Sequence, residues 1–125
     1  MNVSIIDAII NLVNNPVEKL TREYRSKNRA NNAGEALEEY TKDLFAGSFG
    51  KDDIERHELH SKTFSYLGNN SNPPDAMLWG GDAIEVKKIE NNDASLALNS
   101  SYPKHVITSD SPMISDACRN AEDWL

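Results

Sequence analysis

Pro74-Asp75-Ala76-Met77-Leu78-Trp79-Gly80-Gly81-Asp82-Ala83-Ile84-Glu85-Val86-Lys87-Lys88-Ile89 is the stretch on which the reading of this chain turns. Ile84 and Val86 alternate with Glu85 and Lys87, and side chains two apart on a strand share one face. Asp75 to Leu78 reads as a preceding strand, and Trp79-Gly80-Gly81 is a turn signal between two extended runs. Loop length then decides which side chains meet. A two-residue turn at Gly80-Gly81 would pair Asp75 with Val86 and send Asp75 to the face opposite Glu85. A three-residue loop of Trp79, Gly80 and Gly81 pairs Asp75 with Glu85, their Cβ atoms roughly 5 Å apart. Such loops often end in a left-handed residue, a role that suits Gly81. The three-residue form is predicted, or a bend at Pro73-Pro74 that gives the same geometry.

Two carboxylates and an ammonium on one hairpin suit the hydrolysis of a phosphodiester. Attack by water places extra negative charge on the phosphate, and a cation beside it answers that charge. Asp75 and Glu85 would hold Mg2+, a hard ion that prefers carboxylate oxygens and keeps several waters. Lys87 would orient and polarise the attacking water. Taken alone, Glu85-x-Lys87 favours a blander reading, solvated residues on an edge strand.

Longer strings weigh against that blander reading. Leu67-Gly68-Asn69-Asn70-Ser71-Asn72-Pro73-Pro74-Asp75 precedes the hairpin, and Leu98-Asn99-Ser100-Ser101-Tyr102-Pro103-Lys104 follows it. With the opening Ile5-Ile6-Asp7-Ala8-Ile9-Ile10 and the Gly81 to Ile89 run, they resemble the NgoPII family of type II restriction endonucleases, within the PD-(D/E)xK nuclease superfamily. The resemblance covers nearly the whole chain but only the N-terminal part of the family, whose members continue past the position of Leu125. It implies an α/β (α+β) fold: a restriction-endonuclease-like core with N-terminal helices packed on a mixed sheet, truncated at the C-terminus. It adds the Val86 backbone carbonyl as a metal ligand, products with a 5′-phosphate and a 3′-hydroxyl, and recognition of GGCC. The expected activity is Mg2+-dependent cleavage of double-stranded DNA at a short palindrome by a homodimer. Related nucleases place a glutamate on an early helix in a Gly-x-x-apolar-Glu pattern, which Gly34-Glu35-Ala36-Leu37-Glu38 matches. Glu38 is therefore a further catalytic candidate; the alternative is that Glu38, Glu39 and Lys42 form an ordinary wet helix face.

DNA contacts are expected from Asn99, Ser100, Ser101, Tyr102 and Lys104, with Asn70 and Lys88 as further candidates. Asn reads adenine edges, Lys reads guanine, and Ser commonly binds phosphate. Asn69, Asn70 and Asn72 are also turn formers, the stronger reading for at least two of them.

Composition frames these expectations. A chain of 125 residues can bury one core but not two. One cysteine, Cys118, forms no internal disulfide. The apolar opening from Val3 to Val13 lacks a basic leader, carries Asp7 and is too short to span a bilayer, so the expected location is the cytoplasm, with no membrane partner. The formal net charge of −7 opposes DNA binding, which draws on Lys and Arg. Lys19, Arg22, Arg25, Lys27 and Arg29 nonetheless make a basic stretch broken only by Glu23. His57, His60 and His105 form no convincing zinc set, and His57 and His60 read as surface helix.

A single partial domain over 1–125 is expected, helical over 1–47, with the catalytic hairpin and a following helix in 63–125. Ser4 caps a first helix with the stripe Ile5, Ile6, Ile9, Ile10 and Val13. A second, basic helix is predicted over 17–27. A third is capped by Asn31 or Asn32, lines up Ala33, Leu37, Tyr40 and Leu44, and stops at Gly47. Residues 50–62 give no clear pattern, 63–67 alternate as a strand, and Ser95 to Leu98 marks a short element. Ser111-Pro112 opens a last helix through Cys118 to Trp124. Three functions fit this outline: a Mg2+-dependent restriction endonuclease, a truncated non-catalytic remnant of one, and an acidic interaction domain in which the motif is coincidental.

Overall fold

The structure, a computed structural model, describes residues 3–69, 71–89 and 108–122. Its element order is α1 (Ile5–Asn14), α2 (Leu20–Ser26), α3 (Ala33–Ala46), α4 (Asp53–Thr63), β1 (Phe64–Tyr66), β2 (Ala76–Leu78), β3 (Ala83–Ile84) and α5 (Asp116–Arg119). Helices and a small antiparallel sheet in the order β1-β2-β3 make an α+β domain. The mixed sheet expected from sequence has only antiparallel pairs among the described residues. No helix among them is long and apolar enough to cross a membrane.

Local chemistry sets the helix ends. Ser4 and Asp7 form a capping box on α1, satisfying donors that the first turn leaves unpaired. The Asn32 side chain accepts from the Glu35 N–H at 2.9 Å, and the Glu35 carboxylate accepts from the Asn31 N–H at 2.7 Å. At the other end of α3, Gly47 takes the left-handed conformation (φ 62°) in which glycine pays no Cβ penalty. The predicted second helix starts later than expected, at Leu20, and the unread stretch 50–62 contains α4, capped by Asp52. The last helix is a single turn that starts at Asp116 rather than at Ser111-Pro112, capped by Ser115, whose side chain accepts from the Cys118 N–H.

Three small cores hold the layers together. Ala8, Phe45, Phe64, Ala76 and Leu78 join α1 and α3 to one side of the sheet. Tyr24, Ala30, Ala36 and Tyr40 join α2 to α3. Tyr66, Met77, Ile114 and Cys118 seal α5 against the strands. On α3, Ala36 and Tyr40 point inward with Asp43 and Phe45, whereas Leu37 and Leu44 of the expected stripe are half-buried. The stripe of α1 is the larger correction. Ala8 is its buried residue, and Asn11 donates to the Leu44 carbonyl at 2.6 Å, so Ile5, Ile6, Ile9, Ile10 and Val13 face outward.

Between α2, α3 and α4 lies a buried polar knot. Asp43, 1% exposed, accepts from the Tyr24 hydroxyl (2.5 Å), Arg56 Nε (2.9 Å) and the Ser48 hydroxyl. His60 Nε2 lies 3.2 Å from Asp43 Oδ1 and 3.0 Å from Ser48 Oγ. Arg56 continues to Glu39 at 2.6 Å. Burial alone would raise the Asp43 carboxyl, but hydrogen bonds from His60, Ser48, Tyr24 and Arg56 outweigh it and hold the group at about 2. His60 is thus a core residue, not the surface helix position expected from its spacing.

Candidate active site

The hairpin forms with a three-residue loop. Ala76 pairs with Ile84 and Met77 with Ala83, and the Leu78 N–H donates to the Asp82 carbonyl at 3.0 Å. Trp79, Gly80 and Gly81 close the turn, as expected. The left-handed residue is Gly80 (φ 63°), however, and not Gly81. Two outside bonds tie the tip down: Trp79 Nε1–H donates to the Ser61 carbonyl and the Gly80 N–H to Glu122, each at 3.0 Å.

Asp75 sits at the open end of this ladder. Its N–H donates to the Ile84 carbonyl at 2.9 Å, and its Oδ2 accepts from the Val86 N–H at 2.6 Å. A side-chain oxygen therefore takes the place of the next backbone rung, and Asp75 is clamped against Ile84–Val86 with Glu85 in the middle. Lys87 Nζ lies 3.7 Å from Glu85 Oε1, as expected for side chains two apart on one extended face.

Helix α3 closes the other side. A crevice of about 10 Å³ is lined by Glu38, Thr41 and Lys42 from α3 and by Phe64, Asp75, Ala76, Ile84 and Val86 from the sheet. That is room for one small occupant, about a single water. Lys42 is anchored by donating to the Leu67 carbonyl at 3.0 Å. Glu38 and Glu85 are both pushed above the ordinary glutamate range, first by burial and then by the negative charge of Asp75. Lys42 opposes the shift at Glu38, and Lys87 opposes it at Glu85.

Asp75, Glu85 and Lys87 are thus brought together, and Glu38 joins them from α3. Lys88 is exposed and lies beside Leu20, Arg22 and Leu37 at an open groove. Asn70, Asn99, Ser100, Ser101, Tyr102 and Lys104 lie outside the described residues, as do the expected element at Ser95 to Leu98 and His105. The basic stretch is partly engaged: Lys27 pairs with Glu23 at 2.8 Å and Arg29 with Asp53 at 3.0 Å. Among the described residues, no group of three or more His, Cys, Asp or Glu is arranged to hold a metal ion. Two carboxylates can suffice for Mg2+, which fills its remaining positions with water and substrate oxygens.

One contributor was missed from sequence. Gly68 has φ +83°, and a Cβ there would lie 2.2 Å from the Asp75 carbonyl oxygen. The backbone before the hairpin fits against Asp75 only because this residue has no side chain. Its place in the string Leu67-Gly68-Asn69 was the available signal, but polar composition alone reads that string as loop.

A helical layer on an antiparallel hairpin that carries Asp, Glu and Lys beside a helix-borne Glu defines an α+β domain with an acidic, lysine-flanked crevice. Its family is established by comparison: the chain belongs to the NgoPII restriction endonuclease family, whose model matches residues 3–125. It is 62% identical over 121 residues to the type II restriction enzyme NgoPII of Neisseria gonorrhoeae, which covers 97% of this chain and 44% of that enzyme. The chain therefore spans less than half the length of this relative. No solved structure matches it.

Proposed function

We propose that this chain carries the catalytic hairpin of a Mg2+-dependent type II restriction endonuclease that hydrolyses double-stranded DNA at a short palindrome. The single observation that carries the reading is the clamp of Asp75 onto Val86, which sets Asp75 beside Glu85 and Lys87. The core is read as the PD-(D/E)xK type, the whole of 1–125 as one partial domain, and the enzyme as a cytoplasmic homodimer. GGCC is the site suggested by family membership. Asn99, Ser100, Ser101, Tyr102 and Lys104 are proposed for DNA contact, with Asn70 and Lys88 as further candidates.

Asp75, Glu85 and the Val86 carbonyl would hold Mg2+, which when bound supplies positive charge against the scissile phosphate and lowers the pKa of a bound water. The protein's own part is positional. The Val86 N–H fixes Asp75 Oδ2, so that carboxylate needs no reorganisation as charge develops. Lys87 points the same way as Glu85, where its ammonium can donate to the oxygen of the attacking water. As that oxygen bonds to phosphorus, the bond to the 3′ oxygen breaks, leaving a 5′-phosphate and a 3′-hydroxyl. Glu38, crowded by Asp75, is the further acidic group at this crevice.

Supercoiled plasmid with Mg2+ tests the reading. Cleavage is expected from the wild-type chain, with a loss of about 10²-fold or more in Asp75→Ala, as for removal of one preorganised charge-stabilising group. Lys87→Ala should fall by a similar factor. Intact plasmid with the wild-type chain would instead favour a truncated, non-catalytic remnant.

A readout independent of cleavage is carboxylate titration by NMR. Without metal, Glu38 and Glu85 are expected to titrate above ordinary glutamate, and Glu85 to move down when Mg2+ is added, because a nearby cation favours the ionised form. A Glu85 titration that ignores Mg2+ would remove this residue from the metal site.

A further inference from the structure

Lys42 holds an unusual place for a lysine. Its side chain is 14% exposed, whereas lysine side chains ordinarily sit in water. It follows Glu38 by four residues on α3, so the two share one helix face, and both line the crevice beside Asp75. Glu39 Oε1 is 3.9 Å from its ammonium, beyond hydrogen-bond reach, and the other Glu39 oxygen pairs with Arg56 at 2.6 Å. The committed partner of Lys42 is the Leu67 carbonyl, at 3.0 Å. That carbonyl belongs to the peptide group shared with Gly68, which abuts the Asp75 backbone. A Cβ on Gly68 would stand 2.2 Å from the Asp75 carbonyl oxygen, 2.9 Å from its carbonyl carbon and 3.2 Å from its Cα. Backbone rests on backbone there, with no side chain to absorb a shift. Asp75 in turn holds the catalytic strand through the Ile84 carbonyl at 2.9 Å and the Val86 N–H at 2.6 Å.

We propose that Lys42 is a positioning residue for Asp75: its ammonium pins the Leu67–Gly68 peptide to α3, and that peptide sets where Asp75 lies against Val86. A charged donor suits the task, because a hydrogen bond from an ammonium is roughly twice as strong as a neutral one. Lys42 acts through Leu67 and Gly68 and touches neither phosphate nor metal. Its charge also draws Glu38 downward, against burial and Asp75. Groups that orient a metal ligand usually change metal affinity or activity by about 10–100-fold when removed. The consequence for Mg2+ and cleavage rests on the nuclease reading above, whereas the coupling of Lys42 to Asp75 is a property of the metal-free chain.

Amide hydrogen exchange without metal is the first test. Lys42→Met keeps most of the apolar stem and loses the ammonium. In this variant the Asp75 and Val86 amides are expected to exchange about tenfold faster than in wild type. The Leu78 amide, bonded to Asp82 at the closed end of the hairpin, should keep its rate. Lys42→Arg retains a charged donor and is expected to restore the protection. With Mg2+, the concentration that half-shifts the Val86 amide signal should rise about 10–100-fold in Lys42→Met. In plasmid cleavage kcat should fall by a similar factor at unchanged KM for DNA. If Lys42→Met does not fold, Lys42→Gln, which is too short to reach the carbonyl, takes its place. Unchanged Asp75 and Val86 exchange, an equal loss at Leu78, no rescue by arginine, or failure of both variants to fold would each overturn the inference. The local exchange effect in a chain that ignores Mg2+ and leaves plasmid intact would keep the coupling and count against the nuclease reading instead.

Discussion

Asp43→Ala is expected to cost about 3–5 kcal/mol, the usual consequence of removing one partner from a buried ion pair. The loss falls on several groups together. The Tyr24 hydroxyl, Ser48, His60 and Arg56 all converge on this carboxylate, and Arg56 would keep only Glu39. For a domain with a total stability of about 5–15 kcal/mol, such a loss approaches global unfolding. Urea denaturation measures it directly. A loss under about 1 kcal/mol would mean that water or rearranged neighbours replace the carboxylate.

The same residue gives a pH dependence of definite sign. Its folded value of about 2 lies below the ordinary 3.8, so the folded state favours the ionised form. The resulting stability is fully present above the unfolded value and is lost as pH falls from about 4 through about 2. Stability measured across that interval should decline steeply in the wild-type chain and less so in Asp43→Asn, which binds no proton there. Equal slopes would remove Asp43 as the cause.

Gly68→Ala is the second large effect. The new Cβ would meet the Asp75 carbonyl oxygen at 2.2 Å and the Asp75 carbonyl carbon at 2.9 Å, both backbone atoms that no rotamer change relieves. A left-handed φ adds about 1–3 kcal/mol of local strain for a residue with a side chain. Either the domain loses several kcal/mol or Asp75 moves off Val86. Hydrogen exchange separates these results: loss of protection confined to the Asp75 and Val86 amides marks a displaced clamp, and loss throughout marks unfolding. Protection unchanged from wild type would contradict the close approach. Any plasmid cleavage should fall with Asp75→Ala in the first case.

Much of this arrangement was legible before any coordinates. The loop of Trp79, Gly80 and Gly81 and the caps at Ser4 and Asn32 follow from short-range rules, because each depends on residues a few positions apart. Helix α4 was not legible, since Asp53–Thr63 is mostly charged and leaves no apolar stripe. Nor was the polar knot. Tyr24, Asp43, Ser48, Arg56 and His60 come from three helices and a connecting loop, and periodicity sees only one element at a time. Helix α1 misled for the opposite reason: its pattern is strong, but pattern alone does not say which neighbour the apolar side meets. In the candidate site, the pairing of Asp75 with the Glu85 strand could be read, whereas its support by Gly68 depends on a close approach that sequence does not encode.

Cys118 offers a clock for the molecule. Its thiol is wholly enclosed between Met77, Tyr66 and Ile114, and burial raises its pKa, so native protein should resist alkylating reagents. Labelling can then occur only when the small cluster behind the central strand comes apart. Its rate would time the breathing of that side alone, while the aromatic packing around Tyr24 and Tyr40 keeps its own schedule.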